Sequence, residues 1–269
     1  MTTLDTLVDL KRYPLDDPNG AGSELIRNCR AQLDESAICC LPNFLRPDTL
    51  KKMRAEAVSQ AAHAHWIERD RSAYSWVDPN DFPNGHAVRI HVPHRYGTIT
   101  RDRFTEHGDL LRLFKSDALT EILRRCIGFE SLPRVECPYL SLNVKVMDAN
   151  SQLGWHFDTN DGAVSLLLQA PTAGGRYEYV PYIRSAADEN YPQVSPCLTG
   201  ESHAPVLRPD LEAGTLCLFK GNRSLHRVTQ VTQGNPDRFI ALFSYDEQPG
   251  RRFTDRTITT VLGSAPGGT

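Results

Sequence analysis

The spacing of apolar positions changes about half-way along the chain. Before residue 130 they recur mostly at helical intervals; beyond Pro133 they come in short runs separated by turn residues. Ser23 can cap a helix starting at Glu24, with Leu25, Ile26, Cys29 and Leu33 as its buried stripe. The apolar run Ala37–Leu41, ended by Pro42, suits a strand. Pro47 then opens a helix to about Ala62, with Leu50, Met53, Ala57 and Val58 inward. The strongest amphipathic pattern spans Asp109 to Ile127 and stops at Gly128. Residues before about Gly22 are polar and Pro/Gly-punctuated and read as an irregular lead-in.

In the second half, Tyr139–Met147, Val164–Leu168, Tyr177–Ile183, Thr215–Phe219, Arg227–Thr232 and Phe239–Tyr245 read as strands. Turns such as Ala173-Gly174-Gly175 and Gly234-Asn235-Pro236 separate them. Asp188–Pro209 has no period and reads as an inserted loop. Thr257–Leu262 reads as a last strand before a Gly-rich end expected to fray. Residues 64–105 are dense in aromatic, His, Arg and Pro residues with weak periodicity, which suits a lid, a functional surface or irregular packing. Helices first and strands afterwards predict an α+β chain whose mainly-β core is a barrel or jelly roll, with N-terminal helices packed outside. A single domain over 1–269 is expected, with a helical, lid-like part at 23–130 and the β core at 138–248.

Composition narrows the function classes. Hydrophobic content of 40% and charged content of 23% are those of a soluble globular protein. A formal net charge of −3 gives no electrostatic case for nucleic acid or an anionic membrane. The first residues lack the basic start and apolar run of a signal peptide, and no apolar run is long enough to span a bilayer. Seven scattered cysteines without a C-x-x-C pair argue against a disulfide framework and a structural zinc site. A cytoplasmic protein is expected, with a homodimer left open.

Candidate chemistry centres on Gly154-Trp155-His156-Phe157-Asp158-Thr159-Asn160-Asp161. On a strand, residues two apart share a face, so His156 and Asp158 can both aim into a barrel. Alone, each is more often structural than functional. With His226 downstream they complete two imidazoles and one carboxylate, the set that leaves open positions on Fe(II). Zinc hydrolase sites keep fewer open positions and need a general base, which is not evident here.

Arg238 leads the apolar run Phe239–Phe243, where an unpaired charge is costly, so it is the candidate fork for a carboxylate. A surface ion pair with Asp237 is the bland alternative. A five-residue loop, Gln233–Asp237, would set Thr232 opposite Arg238 and His226 opposite Ser244. That register would give His226 and Arg238 a common inward face. Asn143 and Lys145 share one face of their strand and the valines the other. Asn143 is a candidate for the same carboxylate, with a solvent-facing role as the alternative.

Residues Leu140 to Gly250 resemble the Fe(II)/2-oxoglutarate-dependent dioxygenase superfamily. The resemblance rests on Trp155-His156-Phe157-Asp158, Val164–Gln169, Gly174-Gly175-Arg176-Tyr177, Leu225-His226-Arg227-Val228, Arg238 and Ser244-Tyr245-Asp246. Trp-His-Phe-Asp-Thr-Asn-Asp and Tyr-Val-Pro-Tyr-Ile-Arg narrow it to the free-amino-acid radical halogenases and their hydroxylase relatives. It implies a double-stranded β-helix (cupin-like), with Fe(II) on His156, Asp158 and His226, 2-oxoglutarate on Arg238, and O₂ as oxidant. The halogenases of that group have glycine where this chain has Asp158, which opens a site for chloride. A carboxylate there favours hydroxylation of an unactivated C–H, or a related oxidation, over halogenation.

The expected partner is a small molecule, an amino acid or similar polar compound. Trp76, Arg89, His91, Arg95, Thr159 and Asp161 are candidates to line its pocket. The alternatives are the same chemistry on a nucleotide or carrier-bound substrate, and a non-catalytic metal-binding barrel.

Overall fold

A computed structural model of the chain describes residues 4–202 and 204–264. The helices are α1 (Gly22–Ser36), α2 (Pro47–Ser59), α3 (Asp109–Phe114), α4 (Asp117–Ile127), α5 (Tyr191–Thr199) and α6 (Asp255–Leu262). The strands are β1 (Ile38–Leu41), β2 (His65–Ser72), β3 (His91–Ile99), β4 (Leu142–Met147), β5 (Gln152–His156) and β6 (Ala163–Gln169). They continue with β7 (Ala173–Gly174), β8 (Tyr177–Val180), β9 (Leu216–Phe219), β10 (Leu225–Val228), β11 (Val231–Gln233) and β12 (Arg238–Ser244).

Alternation within β4 and β12 builds the two sides of the main wall. Leu142, Val144 and Val146 of β4, with Phe239, Ala241 and Phe243 of β12, join one large apolar core with Ile26, Leu33, Met53, Leu113 and Leu123 of the helices. The intervening residues Lys145, Met147, Arg238, Ile240 and Leu242 line a cavity inside the barrel. A period of two thus separates an apolar outer face, covered by helices, from an inner face that carries charge. The sheet order β1-β9-β6-β12-β4-β3-β5-β10-β8 curls through β3, with β2 paired to β3 and β7 to β11. β3 pairs with β4 through Gly97–Ile99 and with β5 through His94 and Arg95, so one strand belongs to both walls. Every strand pairing among the described residues is antiparallel. This is the double-stranded β-helix with helices outside. No helix among the described residues is long and apolar enough to cross a membrane.

Several sequence expectations are corrected. Thr257–Leu262 is helical: Thr254 Oγ1 caps it by accepting from the Thr257 N–H at 3.1 Å. Ile258 and Leu262, one turn apart, pack on Val135 and Leu140. The β-branched run suggested a strand, but the cap and the apolar surface beneath favour one helical face. Asp109–Ile127 is two helices, because Ser116 Oγ accepts from the Leu119 N–H and starts α4 anew. Residues 64–105 contain β2 and β3, paired from His65–Thr98 to Ser72–His91; the charged stretch Glu68–Arg71 hid the alternation. The lead-in is irregular yet packed, with Leu7, Val8 and Leu15 buried in the main core. Within the expected loop 188–209 lies α5.

The expected pairing of Arg238 with Thr232 is also absent. β11 pairs β7, whereas β12 lies between β4 and β6 and sets Arg238 opposite Met147. The chain crosses from one wall to the other over residues 234–237 instead of folding back on itself.

Phe243 is fully buried in the central strand β12, with its ring 5.5 Å from that of Phe114. Phe243→Ala should lower stability by about 3–5 kcal/mol, measured as a reduced denaturant midpoint with unchanged m-value.

Candidate metal centre

β5 and β10 are neighbours in a register that sets His226 directly opposite His156. Their rings lie 4.0 Å apart, centroid to centroid. Asp158 follows just past the end of β5, where its backbone N–H donates to the Gly221 carbonyl at 3.0 Å. Its Oδ1 lies 3.6 Å from His226 Nε2. One ligand atom from each of His156, Asp158 and His226 falls within 4.8 Å of the others, the metal-binding cluster found among the described residues.

The protonation pattern suits ligation. His156 Nδ1 lies 2.8 Å from the Gly154 carbonyl and His226 Nδ1 lies 3.0 Å from the Ser224 carbonyl. A carbonyl only accepts, so each Nδ1 carries the hydrogen and each Nε2 lone pair is left free. Burial, reinforced by His226, holds the His156 pKa well below its ordinary value. Burial pushes the Asp158 carboxyl up, but His226 and His156 outweigh it and hold the group below its usual value. A neutral His156 imidazole beside an ionised Asp158 carboxylate is a state a divalent metal binds.

Arg238 lies in the same cavity, 2% exposed. Its one described hydrogen-bond partner is the Met147 sulfur, at 3.8 Å. Burial pulls its pKa down to about 10. A guanidinium buried without an anion is costly, and a carboxylate entering the cavity would compensate it.

The other sequence candidates lie elsewhere. Asn143 is buried and donates to the Leu140 carbonyl at 3.2 Å, but it does not line the cavity. Arg95 is paired with Asp148 and Glu68 and lies over Trp66. Arg89 donates to the Pro79 and Phe82 carbonyls, holding the loop before β3. His91 and Thr159 are exposed. Trp76 stacks on the Arg184 guanidinium at 4.7 Å, which also lies 4.1 Å from the Phe157 ring. Asp161 accepts from the Asn222 N–H at 3.1 Å, while Asn222 Nδ2 donates to the Asp158 carbonyl at 3.2 Å. Asp161 therefore braces the turn on which the Asp158 backbone rests.

Two features were not anticipated from sequence. Tyr177 and Phe219 line the cavity, their rings 5.8 and 4.9 Å from His226. Gly221 leaves room for the Asp158 carboxylate: a Cβ there would lie 2.0 Å from Asp158 Oδ2. Its place in Lys220-Gly221-Asn222 looks like an ordinary turn, and nothing local points to a residue so distant in sequence.

Comparison with known proteins places this geometry. A family model for halogenase D matches residues 21–259. The chain belongs to the halogenase D family. Among solved structures, it is similar to an oxidoreductase of the 2OG-Fe(II) oxygenase family from Burkholderia pseudomallei. That match has 16% identity, covers 84% of this chain and 92% of the other, and has a TM-score of 0.52. A Pseudomonas putida prolyl-4-hydroxylase matches at 12% identity, covering 82% and 99%, with a TM-score of 0.52. The non-heme alpha ketoglutarate dependent epimerase SnoN from nogalamycin biosynthesis matches at 15% identity, covering 83% of each chain, with a TM-score of 0.55. At these identities the structural matches speak for the fold. No curated protein matches the chain. This halogenase D family member carries a carboxylate, Asp158, two residues after its first metal-ligand candidate.

Two predictions follow from the packing around the site. Gly221→Ala should displace the Asp158 carboxylate and weaken Co(II) or Fe(II) binding at least about tenfold, approaching the loss from removing a ligand or its support. Metal titration and far-ultraviolet circular dichroism would separate this from unfolding. The second concerns His94, 1% exposed, whose ring nitrogens both lack a partner. Burial lowers its pKa to about 3. The unfolded chain protonates near pH 6.5 and the folded one near 3, so this stability is full above 6.5 and lost as pH falls between them. Denaturation of apoprotein across this range should show a shallower acid loss in His94→Leu than in the unsubstituted protein.

Proposed function

We propose that this protein is an Fe(II)/2-oxoglutarate-dependent oxygenase that hydroxylates an unactivated C–H of a free amino acid or similar small polar substrate. The observation that carries the reading is the pairing of His156, Asp158 and His226 with an uncompensated buried Arg238 in one cavity. The donor set suits Fe(II): two neutral imidazoles and a carboxylate, each held by backbone contacts. Bound Fe(II), 2-oxoglutarate and O₂ would supply the oxidising power for C–H cleavage, with succinate and CO₂ as co-products.

The chain's own residues do the rest. His156 and His226 would hold the metal through Nε2, and Asp158 would add a carboxylate ligand. Arg238 would meet the far carboxylate of 2-oxoglutarate with a planar pair of N–H donors. Ile240, Leu242, Val228 and Phe219 give the cavity apolar walls that exclude bulk water. The free-amino-acid part of the reading rests on the resemblance of residues 155–161 to the amino-acid halogenases.

Halide transfer is the second reading, favoured by the family's name. Asp158 opposes it, because as a ligand its carboxylate would take up a coordination position that a halide needs.

Anaerobic addition of Fe(II) and 2-oxoglutarate should give a visible charge-transfer band, and Asp158→Ala should weaken or abolish it. Folded protein that gives no band would overturn the reading. Aerobic assays over a panel of amino acids, with chloride present, should release succinate and yield an oxygenated product; a chlorinated product would favour the second reading.

A further inference from the structure

Arg238 is not the only cation inside the barrel. Lys145 lines the same cavity and is 7% exposed. Its Nζ donates to Thr98 Oγ1 at 2.8 Å and lies 4.3 Å from the centre of the Tyr96 ring. Thr98 stands directly opposite Lys145 on β3. A hydroxyl and an aromatic face use part of the ammonium's three-donor capacity and supply no negative charge. No carboxylate contributes to its electrostatic surroundings; burial, followed by repulsion from Arg71, pushes its pKa well down. Among the described residues the one carboxylate lining the cavity is Asp158, which is committed to the metal site in the reading above.

The backbone relates the two cations closely. Lys145 pairs with Ile240 and Met147 with Arg238, so Lys145 and Arg238 are diagonal neighbours on one face of adjacent antiparallel strands. Such diagonal positions lie roughly 7–8 Å apart at Cα, within reach of long side chains converging on one group. Their cross-strand partners on that face, Met147 and Ile240, carry no charge. Among the described residues neither buried basic group has a carboxylate partner, and a single carboxylate between them would favour the protonated form of both.

We propose that Lys145 is a second co-substrate-binding residue, forming with Arg238 a two-cation clamp on the far carboxylate of 2-oxoglutarate. The inference rests on the co-substrate reading above and adds a residue to it. Thr98 and Tyr96 hold the amine in place when the clamp is empty. The clamp selects a diacid: a 2-oxo acid of similar length without the far carboxylate would chelate the metal but leave both cations buried and uncompensated.

The test is anaerobic binding, without turnover, to Fe(II)-loaded protein. 2-Oxoglutarate and 2-oxopentanoate, which lacks the far carboxylate, are titrated into unsubstituted protein, Lys145→Met and Lys145→Arg. The expected result is 2-oxoglutarate binding weakened at least about tenfold in Lys145→Met, largely retained in Lys145→Arg, and unchanged 2-oxopentanoate binding in both. Apo Lys145→Met should also melt higher than unsubstituted apoprotein, because the desolvation cost of a buried amine is gone, and should gain less from 2-oxoglutarate.

Equal 2-oxoglutarate affinity in Lys145→Met, or an equal loss for both oxo acids, overturns the clamp while leaving the co-substrate reading standing. A Lys145→Met chain that fails to fold overturns it too, since the amine would then be structural. Unsubstituted protein that binds neither oxo acid removes the co-substrate reading itself, and the clamp with it.

Discussion

The candidate metal site depends on one backbone relation, the antiparallel register of β10 against β5. It sets His226 across from His156, brings their rings to 4.0 Å, and leaves each Nδ1 facing a carbonyl two residues earlier in the chain. A slip of one residue would turn His226 to the opposite face. Backbone hydrogen bonds and burial hold that register, so the imidazoles are aimed before any ion arrives. Preorganisation of this kind spares a metal the cost of ordering its ligands.

Asp158 is held differently. It lies beyond the strand, and a relay of contacts from other parts of the chain supports it. Its N–H rests on the Gly221 carbonyl, its own carbonyl accepts from Asn222, and Asp161 holds the Asn222 N–H. Arg184 adds a bond to the Asn222 carbonyl at 2.6 Å while stacking on Phe157 and Trp76. Several residues of the motif and of the downstream arginine segment thus act through the shape of one turn. Substitutions there would alter ligand geometry without touching ligand chemistry.

The opposite wall supplies charge. Alternation in β4 and β12 spends one face on the helix-covered core and turns the other inward with Lys145 and Arg238. A buried guanidinium and a buried amine, neither with a carboxylate partner among the described residues, are unfavourable for folding alone. Stability is given up where an anionic ligand would restore it, a common relation between functional sites and the scaffold that carries them.

The residues of the candidate site were legible in the chain because they stand out by type and spacing: His156-x-Asp158, then His226 and Arg238 in strand-like runs, all four lining one cavity. Strand alternation likewise revealed that Asn143 and Lys145 share a face. What sequence could not decide was pairing across the fold. A local loop count suggested a hairpin joining the strands of His226 and Arg238, whereas β12 pairs with β4 and β6 on the opposite wall; the two residues line one cavity from different strands. Arg89, Arg95 and Trp76 looked available for a ligand, but their partners at Pro79, Asp148 and Arg184 are set by tertiary contacts. Gly221 became meaningful only when the Asp158 carboxylate was found against it. Periodicity and residue type are properties of neighbours in the chain. Which distant side chain satisfies or crowds a group depends on how the walls of the barrel close, and that closure is where the tertiary structure decided the site.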